Sequence, residues 1–316
     1  VAAIPFIGGA AVEAQLNWQD ACLAIRAGHE LERALIKDTF IEQGGNTLLS
    51  RSAWVPGLGM GTKTATIFAS NAKLGLPSVN SVFTLFDDKT GVPRAIIDGN
   101  LVTRWKTAAD SLLGAQILAR QDAGRLLIVG AGKVADSLIA GYSQLFPALA
   151  EILVWNRSAA RANELVNQYK KTDINVRVVT NLEAAVAAAD IISCATLSCD
   201  PIIHGHWIKP GSHVDLIGAY KANMREADDA LMRDADLYVD SRDTTLDHIG
   251  ELLMPISNNV ISREDILGDL YELCAGTATR KSDTATTVFK NGGGAHLDLM
   301  IADYIMRVAQ LSRALI

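Results

Sequence analysis

The spacing of hydrophobic and polar positions changes along this chain. Between residues 17 and 40, Ala21, Ile25, Leu31, Leu35 and Ile36 recur at roughly helical spacing, which predicts a helix over 17–40. Residues 48–100 change character. Thr64-Ala65-Thr66-Ile67-Phe68 and Ser81-Val82-Phe83-Thr84-Leu85-Phe86 are β-rich runs. Asp87-Asp88-Lys89-Thr90-Gly91 reads as a hairpin turn, with Arg94-Ala95-Ile96-Ile97 as the returning strand. This is a meander in an antiparallel or mixed sheet. From Thr103 the period becomes helical through Ala108, Leu112, Ala115, Leu118 and Ala119. Short apolar strands at 126–129, 152–155, 176–179, 191–195, 212–217 and 237–239 then follow, with helices predicted at 135–145, 159–169 and 183–188. Apolar strands alternating with helices mean βαβ units and a parallel sheet. Gly292-Gly293-Gly294 precedes a last helix over 295–315. No repeat or low-complexity linker interrupts the pattern. The simplest path leaves a first domain, builds a second, and returns.

Composition narrows the function classes. A length of 316 residues fits about two domains. A net charge of −6 argues against a dedicated nucleic-acid partner, which needs a basic face to release counterions. No apolar run approaches the roughly 18 residues of a membrane span, and the first residues lack the basic flank of a signal peptide. Cys22, Cys194, Cys199 and Cys274 form no C-x-x-C pair, so free thiols in a reducing cytoplasm are expected. His204-Gly205-His206 has no third ligand at a metal-site spacing, so no metal is assigned.

The most specific local signal is Gly130-Ala131-Gly132-Lys133-Val134-Ala135, a G-x-G-x-x-A pattern after the apolar run Leu126-Leu127-Ile128-Val129 and at the start of a helix. That context marks a dinucleotide-binding Rossmann turn. The first glycine allows the tight turn, the second lets the backbone approach a pyrophosphate, and Ala135 allows close packing of helix and sheet. The helix N-terminus contributes amide donors and partial positive charge to the phosphates. An NAD enzyme usually carries a carboxylate at the end of the second strand. Here Asn156, Arg157 and Ser158 stand there, a set that would hold a 2′-phosphate, so NADPH is read over NADH. Thr196, after the fourth strand of the unit, is a further cofactor contact, and Ala219 completes the set.

Beyond that loop, an ordered series of motifs resembles one family. Gly61-Thr62-Lys63, Asp98-Gly99-Asn100 and Lys106-Thr107-Ala108-Ala109-Asp110-Ser111 precede the loop. The run 211–219 (Gly-Ser-His-Val-Asp-Leu-Ile-Gly-Ala) and Thr287-Val288-Phe289-Lys290 follow it. Together they resemble the ornithine cyclodeaminase/mu-crystallin family from about Leu48 to the C-terminus. The resemblance implies an α/β fold in which a doubly wound Rossmann domain, residues 111–292, is inserted into a split α+β domain. That split domain, residues 1–110 with 293–316, would bind substrate and form a homodimer through its sheet.

The same resemblance implies reduction of a cyclic ketimine 2-carboxylate, such as Δ1-pyrroline-2-carboxylate or its six-membered homologue, to L-proline or L-pipecolate. Ornithine cyclodeaminases carry an aspartate directly after the Gly-Ala step. Tyr220 stands there in this chain, and a phenol with an ordinary pKa of about 10 supplies no anion near neutral pH. Asp215 lies five residues earlier, inside the strand. A cyclic imine does not need the missing aspartate. Where the family usually has an arginine before Thr-Ala-Ala, this chain has Lys106, a charge without a bidentate fork. Lys63 is the first candidate to hold the substrate carboxylate and to supply a proton, Arg51 the second cation and Lys106 the third. His248 and Glu251 are open as further cleft residues, and Asp298, in the first turn of the last helix, as a helix-dipole partner or a functional residue. An acyclic amino-acid dehydrogenase and a non-enzymatic NADPH-binding protein on the same scaffold remain as alternatives.

Overall fold

In a computed structural model describing residues 3–311, the chain divides into two compact units, Val1–Lys106 with Gly294–Ile316, and Thr107–Gly293.

The first unit opens with β1 (Phe6–Ile7), α1 (Ala10–Glu13) and α2 (Trp18–His29). A meander follows: β2 (Leu35–Gln43), β3 (Asn46–Val55), β4 (Gly59–Ile67), β5 (Val79–Phe86) and β6 (Pro93–Asp98). The sheet order is β1-β6-β5-β4-β3-β2; β1 joins β6 in parallel and the rest is antiparallel. The helix expected over 17–40 is therefore half helix and half strand. Asn17 caps α2 by accepting from the Asp20 amide, and the helix ends at His29. Glu30, Leu31, Glu32, Arg33 and Ala34 contain no glycine or proline, so the stop has no local mark. Nine residue pairs with β3 then hold β2 extended, and strand pairing overrides the spacing of Leu31, Leu35 and Ile36. A missed clue was Gly44-Gly45, both at positive φ, the turn pair of a tight hairpin.

From Gly99 the chain forms α3 (Gly99–Leu118) and enters the second unit. There follow β7 (Arg125–Val129), α4 (Lys133–Leu145), β8 (Glu151–Trp155), α5 (Ala159–Gln168), β9 (Val176–Val178), α6 (Leu182–Ala188), β10 (Ile191–Cys194) and β11 (His213–Leu216). Then come α7 (Asp229–Asp234), β12 (Asp236–Val239), α8 (Arg242–Thr245), α9 (Gly250–Ser257), β13 (Ile266–Gly268), α10 (Leu270–Cys274) and β14 (Thr287–Lys290). All strand pairs in this sheet are parallel, in the order β13-β12-β14-β11-β10-β7-β8-β9. Leu126 through Val129 are fully buried, which is why β7 reads as an unbroken apolar run; each large side chain contributes about 2 kcal/mol. The order reverses between β7 and β10, the switch point where such sheets bind ligands beyond their carboxyl ends.

The chain returns to the first unit as α11 (Ala295–Leu311), which packs on α2 and on the face of β2 through β6. Residues 312–315 of the expected last helix lie outside the described residues.

Candidate active site

In the first unit, strand register assembles a row of charges. Asp38 on β2, Arg51 on β3 and Lys63 on β4 are consecutive cross-strand partners, so their side chains share one sheet face. Arg51 Nε donates to Asp38 Oδ2 at 2.9 Å. Lys63 is only 6 % exposed, on the face that α11 covers. Its ammonium lies 2.8 Å from both oxygens of Asp298, in the first turn of α11, and donates to Thr103 Oγ1 on α3 at 3.2 Å. The Thr103 hydroxyl donates a hydrogen bond to the Gly99 carbonyl, so its oxygen faces the ammonium as an acceptor. Asp298 and Thr103 thus hold the ammonium between α11 and α3.

Asp298 is fully buried. Burial opposes its ionisation, but the charges of Lys63, Lys106 and Arg51 outweigh that cost and hold its carboxyl below the ordinary aspartate value. The open reading of Asp298 resolves here: it is the counter-ion of the buried lysine. Lys106 is also buried, on α3. Arg104, two residues earlier, is half exposed and pairs with Glu13, so it belongs to a different face of the helix. The pocket also contains groups that sequence spacing did not single out. His296, two residues before Asp298, is buried, and burial with the charges of His29, Lys106, Arg51 and Arg33 holds it well below the ordinary histidine value.

In the second unit, Gly130 has φ +124, and a Cβ there would stand 2.6 Å from the Ala195 carbonyl oxygen, so only glycine fits. A Cβ on Gly132 would meet nothing within 4 Å. Gly132 caps α4 with no side chain accepting from the first turn. The loop Gly130-Ala131-Gly132 with Lys133 and Val134 therefore presents uncapped amides to open space, as a pyrophosphate requires. At the end of β8, Asn156 Nδ2 donates to the Ser158 carbonyl and closes the turn. Arg157 and Ser158 are exposed, and the Ser158 hydroxyl caps nothing in α5. These residues fit a dinucleotide.

Other residues turn out to be internal. The amide and hydroxyl of Thr196 both donate to Glu226 Oε1, and the amides of Gly218 and Ala219 donate to Oε2. Thr196 and Ala219 thus form a braced wall of the sheet edge. Fully buried Lys290 completes it by donating to the carbonyls of Leu216 and Ala219. Glu251 is buried and accepts from the amides of Glu226 and Ala227; burial pushes it up to about 7. It supports the wall, and His248 is exposed. Asp215, mid-strand on β11, is also pushed up to about 7 by burial and accepts from Ser193 Oγ at 2.5 Å. Tyr220, just past the braced step, is 56 % exposed. Among the described residues no group of His, Cys, Asp and Glu is arranged to hold a metal.

Residues 56–311 match the model of the ornithine cyclodeaminase/mu-crystallin family. The chain belongs to that family. It is 52 % identical over 295 residues to a Δ1-pyrroline-2-carboxylate reductase of Paracoccus denitrificans, covering 93 % of each chain. It is 34 % identical over 244 residues to the mouse ketimine reductase mu-crystallin, covering 77 % of this chain and 74 % of the relative. The fold is similar to Thermococcus litoralis Δ1-pyrroline-2-carboxylate reductase solved with NADH and L-proline, with a TM-score of 0.90, 26 % identity and 99 % of each chain covered.

Proposed function

We propose that this family member reduces a small cyclic ketimine 2-carboxylate with NADPH, Δ1-pyrroline-2-carboxylate to L-proline and, by the same chemistry, the six-membered homologue to L-pipecolate. The observation that carries the reading is the buried Lys63–Asp298 pair with Arg51 and Lys106 around it. A reduced nicotinamide, when bound, supplies the hydride; the chain's own residues must then hold an anion and deliver one proton to the ring nitrogen. Lys63, Arg51 and Lys106 hold the carboxylate. Lys63 is also the proton donor, and Asp298 keeps its ammonium in place. A substrate already closed and unsaturated makes no demand for a carboxylate at Tyr220, which speaks against ornithine cyclodeamination.

Gly130, Ala131, Gly132, Lys133 and Val134 take the pyrophosphate, and Arg157 with Ser158 takes the 2′-phosphate of NADPH, NADH being bound without that contact. Asn156 shapes the turn, while Thr196 and Ala219 line the edge.

A homodimer through the sheet of the first unit suits its outer face. Leu35, Trp54, Met60 and Phe86 lie in one cross-strand row there, with Leu35 and Trp54 substantially exposed. Trp54→Glu should convert a dimer to a monomer in light scattering. The four cysteines are free thiols, in keeping with a reducing cytoplasm.

The deciding assay offers NADPH with Δ1-pyrroline-2-carboxylate, and separately with pyruvate plus ammonia. Oxidation of NADPH by the cyclic imine is expected. Turnover with the second pair alone would replace the ketimine by an acyclic imine, and turnover with neither would remove the enzyme reading.

A further inference from the structure

The pairing of β10 with β11 ends at Cys194 and Leu216. Just beyond, Thr196, Gly218 and Ala219 run over the carboxyl ends of the sheet, outside both strands. One side chain takes all three amides. Glu226 Oε1 accepts from the Thr196 amide at 2.7 Å and from its hydroxyl at 2.8 Å; Oε2 accepts from the amides of Gly218 at 2.7 Å and Ala219 at 3.3 Å. Glu226 is fully buried, and its own amide donates to Glu251 Oε2 at 2.7 Å. A Cβ on Gly218 would collide with the Thr196 backbone and with Glu226, so the two strand exits touch at this carboxylate. Thr196 and Gly218 are half-buried and form the surface above it.

We infer that Glu226 is a positioning residue for hydride transfer: it locks the exits of β10 and β11 into one platform, on which the nicotinamide half of the cofactor lies. The inference rests on the dinucleotide placement proposed above.

Strand order supplies the reason. β8, with Arg157 beyond its end, lies on one side of β7, and β10 followed by β11 lies on the other. A dinucleotide with its pyrophosphate on the Gly130 turn and its 2′-phosphate at Arg157 extends its other half across β10 and β11. Turn and platform are continuous, since the Ala195 carbonyl that excludes a side chain at Gly130 directly precedes Thr196. Backbone amides can only donate, and both oxygens of Glu226 receive them, so both must be acceptors. Charge-assisted bonds of this kind are stronger than neutral ones. Hydride transfer needs the reacting atoms about 3–3.5 Å apart and aligned, so a shift of the platform costs the ring its aim and leaves the adenosine end untouched. Glutamine would fit the volume of Glu226. Whichever way its amide is rotated, though, an NH2 group would oppose the amides of one of the two exits.

The test compares two ligands on the full chain by calorimetry: NADPH, and 2′-phospho-ADP-ribose, which has every part of NADPH except the nicotinamide ring. In Glu226→Gln the Kd for NADPH should rise about tenfold, as for loss of a charge-assisted bond, while that for 2′-phospho-ADP-ribose stays within about twofold of wild type. A Glu226 that served only the fold would weaken both alike. Because that variant could fold poorly, Thr196→Val provides a second measurement. It removes the hydroxyl bond alone and should give the same split, about threefold for NADPH and none for the ringless ligand. Equal losses for both ligands, or no loss for NADPH, in a folded variant overturn this inference alone. A wild type that binds neither ligand overturns the cofactor placement with it.

Discussion

On the proposed reading, the two units recognise anions by opposite means. The crest of the second unit uses backbone: glycines in a tight turn and the uncapped first amides of α4, with exposed Arg157 beside them. The pocket of the first unit uses side chains, and most are buried and already paired. Backbone recognition needs only one short stretch with the right φ angles and small residues. Side-chain recognition in a buried site needs each charge matched, because an unmatched buried charge costs several kcal/mol. The pocket therefore draws on β2, β3, β4, α3 and α11. A single change should consequently damage the two regions in different ways.

The largest effect is expected at Lys63. Lys63→Ala removes a ligand contact and leaves Asp298 buried without its counter-ion; kcat/KM for the ketimine should fall about 10³-fold or more. NADPH affinity, read by fluorescence titration, should stay within a few-fold, and loss of it would erase the contrast between the units. Gly130→Ala is the mirror image. Strain at φ +124 and the clash with the Ala195 carbonyl should weaken NADPH binding by at least about tenfold. An unchanged cofactor affinity would mean the crest is not held by that turn.

Arg157→Ala should sharpen the picture further. KM for NADPH should rise about tenfold while KM for NADH hardly moves, as expected for one charged contact to a 2′-phosphate. Equal effects on both cofactors would remove the assignment.

Buried acids and bases of the second unit make a prediction about pH. Burial pushes Asp215 up to about 7, so between about 4 and 7 the folded chain keeps a proton that the unfolded chain has released. Its contribution to stability therefore declines as pH rises through that window. His213 has the opposite sign: burial and the Arg280 charge push it down to about 3. The unfolded chain then binds the extra proton, and stability drains as pH falls from about 6.5 toward 3. Asp215→Asn should gain several degrees in melting temperature relative to wild type between pH 5 and pH 8. Parallel curves would show that Asp215 ionises no differently on folding.

The smallest effect is expected at Arg104→Ala, where a half-exposed pair with Glu13 is lost. Stability should change by no more than about 1 kcal/mol, and kcat/KM should be unaffected. A large kinetic effect would place Arg104 in the pocket after all.

Legibility followed the same division. The parallel strands and the glycine turn were readable because each is a local pattern. Residues 17–40 were misread because nothing local marks the stop after His29, and the pairing that makes β2 a strand comes from β3. Nothing local marks how Thr196, Ala219 and Glu251 are held: the amides of Thr196 and Ala219 donate to Glu226, and Glu251 accepts from the amides of Glu226 and Ala227.

By itself, then, the order of residues determined a strand meander and a parallel α/β region carrying a dinucleotide turn, since periodicity and glycine chemistry act over a few residues. Only the tertiary structure decided that Asp298 answers Lys63 and that Asp38 pairs with Arg51. Those pairs are separated by 235 and 13 positions along the chain. A buried charge is stabilised by whatever stands within a few ångströms of it, and that neighbour is chosen by strand register and helix packing.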